Sequence, residues 1–134
     1  MYLALLKEEH KELFLGLAFN LALADGDYSD EEKAVIASYC QEMKIVFNKE
    51  KMVRPVNELI SRINLLCDIQ EKKIIVFETI GLAMSDYNYD ERERKLIKLM
   101  TDTFDLGDGF TNECESILNE YISFQGEINK LIIG

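Results

Sequence analysis

Apolar residues along this chain recur at helical spacing, and in two places they close up until no polar face remains. The first place is Leu13 to Ala24; the second is the run IIVFETIGLAM, which leads to about Ser85. A helix that is apolar on every side is one surrounded by others, so both are expected to be central. Shorter stripes flank them. Val35, Ile36, Tyr39, Cys40 and Met43 form one; Val56, Leu59, Ile60, Ile63, Leu66 and Cys67 follow the i, i+3, i+4, i+7 rule. Leu96, Ile97, Leu99, Met100 and Phe104 make a fifth inward face, and Cys114, Ile117, Leu118, Tyr121 and Ile122 a last one. Nothing alternates with period two over a useful length. The pattern predicts an all-α fold of six or seven helices.

Polar residues mark where these helices start and stop. Ser29-Asp30-Glu31-Glu32, Asp68-Ile69-Gln70-Glu71 and Asp90-Glu91-Arg92-Glu93 each read as a capping box, in which two side chains satisfy orphan amides reciprocally. Asp25-Gly26 stops the first apolar helix, Pro55 suits the first turn of the third, and Leu106-Gly107-Asp108-Gly109 ends the fifth. Thr111 is expected to cap the final helix, and Gly126 to bend or interrupt it. Met1 to Glu12 begins the first helix or a short one before it.

The plan occurs twice. Pairing Asp25 with Asp86 sets an offset of 61 residues, under which Tyr28 meets Tyr89, Ser29 meets Asp90 and Glu32 meets Glu93. Each copy is an apolar helix, an acidic turn and a second helix. Crowded carboxylates repel one another, and a hard cation such as Ca²⁺ relieves that repulsion through oxygen ligands. An EF-hand loop does not fit: the turn glycine is replaced by Asp30 or Glu91, and the final glutamate by Ile36 or Ile97. Ser29, Glu32, Asp90 and Glu93 are equally well explained as helix caps. Asp25 and Asp86 lie at helix C-termini, where the dipole disfavours a negative charge, and a cation, an amide or a basic side chain would offset it.

Ala24-Asp25-Gly26 followed by Glu31-Glu32, with the degenerate copy Ser85-Asp86-Tyr87 and Arg92-Glu93, resembles the signature of the tellurite-resistance TerB family and its TerB-like relatives. The resemblance spans roughly residues 13–106. It implies a single TerB-like helical domain of two pseudo-symmetric repeats, one at about 8–46 and one at about 68–106. A connector and third helix (47–67) lie between them, and a last helix (111–133) follows. It also implies a non-enzymatic role in tellurite or stress response and a divalent-cation site. Carried over, the metal ligands are Asp25, Asp27 and Glu32, then Asp86, Asp90 and Glu93. The second copy departs from the pattern, with Tyr87 for Gly26 and Asn88 for an acid.

Charge narrows the partners. The 134 residues carry a net charge of −10, which repels phosphate backbones and anionic membranes. A basic protein partner, or an acidic interaction face without any metal, fits the same sign. The longest apolar run is too short to cross a bilayer, and the N-terminal segment lacks the basic leader of a signal peptide. Three scattered cysteines, each on an apolar stripe, predict buried free thiols and a cytoplasmic setting. His10, the sole histidine, sits among charged residues and is expected on an exposed face; a histidine-rich metal site is thereby excluded, and a Ser-His-Asp triad would have to use His10. Glu71-Lys72-Lys73 reads as solvated, the aromatic residues as core. No glycine-rich phosphate loop occurs, and hydrolysis by paired carboxylates would need a cleft holding two acids with separated pKa values.

Overall fold

The computed structural model describes residues 1–23, 30–46, 48, 55–85 and 89–134, with backbone only at 23, 31, 32 and 85. Among them are six α-helices and no strand. These are α1 (Glu8–Leu23), α2 (Asp30–Met43), α3 (Val56–Leu66), α4 (Ile69–Ser85), α5 (Glu91–Thr103) and α6 (Gly107–Ile133). A short 3-10 turn, Leu3–Leu5, precedes them.

The two greasy helices are central. Phe14, Leu15 and Leu17 of α1 and Ile75, Val76 and Ile80 of α4 are fully enclosed. α1 packs on α2, α3 and α4; α4 packs on α5 and α6; α3 and α6 each also meet α5. Each large core side chain removed from water contributes roughly 1.5–3 kcal/mol, which is why the amphipathic helices lie where they cover α1 and α4. Ile36, Cys40 and Met43 seal one flank, Leu59, Ile60 and Ile63 another, Ile97, Met100 and Phe104 a third. Cys40, Cys67 and Cys114 are free and buried.

Helix boundaries repeat at a constant interval. α4 begins 61 residues after α1 (69 − 8), and α5 begins 61 after α2 (91 − 30). The ends of α2 and α5 close alike: Lys44 (φ 57°) and Asp105 (φ 58°), again 61 apart, take the left-handed conformation. The amide that follows each reaches back to the helix, Ile45 N to Cys40 O at 3.0 Å and Leu106 N to Thr101 O at 2.9 Å. That is the closure by which a chain leaves a helix while pairing its last carbonyls. The buried Lys11 adds a second satisfied carbonyl at the end of α2, its Nζ donating to Met43 O at 3.0 Å.

Several expected details differ. Gly107 does not end a helix; with φ +80° it begins α6, so Thr111 lies inside the helix rather than at its cap. Gly126 does not interrupt α6, which runs through it to Ile133. Pro55 stands one residue before α3. Leu66, Leu99, Ile117 and Tyr121 are exposed, not inward. The aromatic residues are not all core: Tyr2 and Phe124 are also exposed.

Inside α4, Gly81 leaves an ordinary van der Waals gap; a Cβ there would lie 3.7 Å from Leu118. Glycine in a helix interior costs about 0.5–1 kcal/mol against alanine. Gly81→Ala is therefore expected to raise the melting temperature by roughly 2–6 °C, measured by circular dichroism; a fall would mean that the α4–α6 contact has no room.

Candidate functional site

The capping box that opens α5 is complete. Asp90 Oδ1 accepts from Glu93 N at 3.0 Å, and Glu93 Oε1 accepts from Asp90 N at 3.3 Å. Each of these expected metal ligands therefore has one oxygen committed to a backbone amide. The other Asp90 oxygen stands 4.0 Å from the Arg92 guanidinium, a cation supplied by the chain itself. Beside them Tyr89 donates to Glu115 Oε1 at 3.1 Å, with the Arg94 guanidinium 4.0 Å from its ring centre. Burial first, then the Glu115 carboxylate, pushes the Tyr89 phenol up. Asp25, Asp27 and Asp86 lie outside the described residues, as does the side chain of Glu32, and so does the Ser29 cap.

The described residues do bring together one mixed donor set that the sequence pattern did not suggest: His10, Cys67 and Glu71, all buried, with a ligand atom from each within 4.8 Å of the others. His10 is 5 % exposed and Glu71 3 %, which corrects both the surface histidine and the solvated Glu71. The capping box Asp68–Glu71 explains why. Glu71 N donates to Asp68 Oδ1 at 2.8 Å, and Asp68 N donates back to Glu71 Oε1 at 3.2 Å. The second oxygen, Oε2, accepts from Lys7 N at 3.1 Å and His10 Nδ1 at 2.7 Å. An ionised carboxylate only accepts, so Nδ1 carries the proton. One carboxylate thus satisfies orphan amides at the starts of both α1 and α4.

That role decides the chemistry. Burial alone would push the Glu71 carboxyl up, but the hydrogen bonds from His10, Lys7 and Asp68 outweigh it and hold the group below its ordinary value. Burial, and then the Glu71 and Asp68 carboxylates, push the Cys67 thiol up to about 12. A nucleophilic cysteine needs a lowered pKa and access; this one has neither, so the Cys, His and Glu do not form a working triad. A transition metal would have to displace a carboxylate–imidazole bond and deprotonate that thiol. The donors fit a helix staple better than a metal cage.

A second buried carboxylate, Glu78, works with Glu42 on the start of the chain. The Met1 amine lies 2.9 Å from Glu42 Oε1 and 3.0 Å from Glu78 Oε1, and the amides of Tyr2 and Leu3 complete the clamp. The third feature is apolar. Beside α4 and α6 runs a groove of about 360 Å³ lined by Ile74, Phe77, Phe110 and Ile117, and a neighbouring one of about 290 Å³ reaches Met84 and Tyr121. Past Ile122 every residue of α6 is exposed: Phe124 is 62 % open to solvent and Leu131 82 %. Helical spacing placed Ile117 and Tyr121 on one inward face with Cys114 and Leu118; the domain buries the latter pair and leaves the former open.

The chain matches no protein-family model, no curated protein and no solved structure. Its class is therefore stated on its own architecture: an all-helical domain with a buried double-helix staple and an outward apolar helix. None of its described helices is long and apolar enough to cross a membrane.

The staple has a pH signature. Because the folded Glu71 pKa is depressed, its contribution is complete above the ordinary 4.5 and is lost as pH falls through the folded value. Glu71→Gln is expected to cost about 1–3 kcal/mol at neutral pH. The gap to the parent should narrow in acid, as read from urea midpoints across pH. A gap that stays constant down to low pH would remove the carboxylate from this role.

Proposed function

We propose that this chain is a non-enzymatic helical interaction module that offers the outer half of α6 as a docking seam. The observation that carries the reading is the uncovered apolar stripe from Ile117 to Leu131. Large side chains there are exposed at levels from 44 % (Tyr121) to 82 % (Leu131), while the core built on α1 and α4 is complete without them. A scattered exposed leucine needs no explanation, but a contiguous apolar patch on a folded domain marks an interaction site. The raised thiol pKa values at Cys67 and Cys114 and the hydrogen-bonded state of Glu71 support a role without covalent chemistry. Buried free thiols fit the reducing cytoplasm, and the charge of −10 keeps a chain with an apolar stripe soluble. If the seam serves a partner, removing residues 124–134 leaves the domain's melting temperature within about 2 °C of the parent. A drop of more than about 6 °C would make the seam part of this domain's own core.

A second reading keeps the TerB-like expectation: a stress-response domain of two pseudo-symmetric repeats whose acidic turns hold a divalent cation. What favours it is the 61-residue interval shared by two helix starts and two left-handed helix ends. His10 and Glu71, also 61 apart, are the same position of the two units and touch each other, as residues beside a two-fold axis would. With Asp90 and Glu93 committed to capping, the ligands of this reading fall mainly on Asp25, Asp27 and Glu32. Ca²⁺ at ten times its dissociation constant would then stabilise the chain by roughly 1.4 kcal/mol, and Asp25→Asn with Asp27→Asn would abolish the shift. Melting curves that stay flat through millimolar Ca²⁺, Mg²⁺ and Zn²⁺ reject it.

A further inference from the structure

We infer that the seam on α6 is closed by a second copy of this chain, through a parallel two-stranded coiled coil. This names the occupant of the docking seam and rests on that reading. The spacing is the first argument. Ile117, Tyr121, Phe124, Ile128 and Leu131 are separated by 4, 3, 4 and 3 residues, the alternation of a heptad seam, with Tyr121 and Ile128 at a and Ile117, Phe124 and Leu131 at d. Counting back, Cys114 and Phe110 continue the same series into the groove beside α4. The register is thus kept over more than three heptads: its first part is covered by Ile74 and Phe77, and its outer part is open. A partner helix would extend packing that the domain already begins.

Residue type selects the partner number. Ile128 at a with Leu131 at d is the combination that favours two strands. Charge selects the orientation. The g positions are Glu120 and Glu127, and the e positions on the outer half are Gln125 and Ile132. An antiparallel pair sets glutamate g positions against each other, whereas a parallel pair sets each glutamate against Gln125 or Ile132 of the second copy. Like charges across a seam destabilise it, so the parallel arrangement wins.

Area and access agree. The exposed apolar side chains at a, d and e from Ile117 to Ile132, at roughly 200 Å² apiece when fully open, leave on the order of 750 Å². A stable interface needs about 800 Å² from each partner. Leu118, which docks α6 onto Gly81 of α4, lies about 100° around the helix from Ile117. Past Ile122 every residue of α6 is exposed, so the outer part of the seam, from Phe124 to Leu131, is clear of the packed helices and two bodies can flank one coiled coil.

Light scattering on the intact chain across a concentration series tests this. The mass should rise to twice the 15.5 kDa of one chain, and Ile128→Asp or Leu131→Asp should return it to the single-chain value with the helicity of the dilute parent. Oxidation should link Ile128→Cys, at an a position, into a covalent dimer, while Lys130→Cys, at an outward c position, should not link. A single-chain mass at every concentration overturns the second copy. So does a dimer that survives Ile128→Asp, or equal linking at both positions. If the chain is monomeric and loss of residues 124–134 leaves its melting unchanged, the docking seam stands with a different occupant. If that truncation destabilises the domain, the docking reading fails as well.

Discussion

Two helices whose central stretches carry no polar face must be covered on most sides, and that requirement organises this molecule. α1 and α4 cannot sit at a surface, so the chain spends α2, α3, α5 and the first half of α6 on enclosing them. The starts of the two buried helices then meet, and their orphan amides need acceptors out of reach of water. Glu71 answers for both. It completes the capping box of its own helix and turns its other oxygen to Lys7 and His10 at the start of α1. A buried carboxylate is costly unless fully hydrogen-bonded; this one accepts three hydrogen bonds, so its cost is offset at the site where the two helices are registered.

Helix boundaries were legible in the sequence because capping is local. The boxes at Asp68–Glu71 and Asp90–Glu93 can be read from four residues each, and both form as read. Buried apolar helices were legible for the same reason: an unbroken greasy circumference has one solution. The 61-residue spacing of the acidic turns reappears in the helix starts. His10 was misread because its environment is set by Glu71, which no window around residue 10 contains. Gly107 was misread because α5 is closed two residues earlier by Asp105 in the left-handed conformation, which leaves Gly107 to begin α6.

The outer half of α6 shows a different limit. Periodicity put Cys114, Ile117, Leu118, Tyr121 and Ile122 on one inward face, but only Cys114 and Leu118 are buried, while Ile117 and Tyr121 are exposed. Whether anything lies against that face depends on how far the neighbouring helices extend. α4 stops at Ser85, and among the described residues every position of α6 past Ile122 is exposed. A helix segment of that length is marginal by itself in water, so an apolar seam along it gains most from a partner.

Hydrogen exchange, followed residue by residue at low and at high protein concentration, tests the account most directly. Amides of α1 and α4 should exchange only through global unfolding at both concentrations, whereas those of residues 123–133 should exchange freely when dilute and become protected when concentrated. Strong protection of residues 123–133 that does not change with concentration would contradict it, because the seam would then be covered from within its own chain.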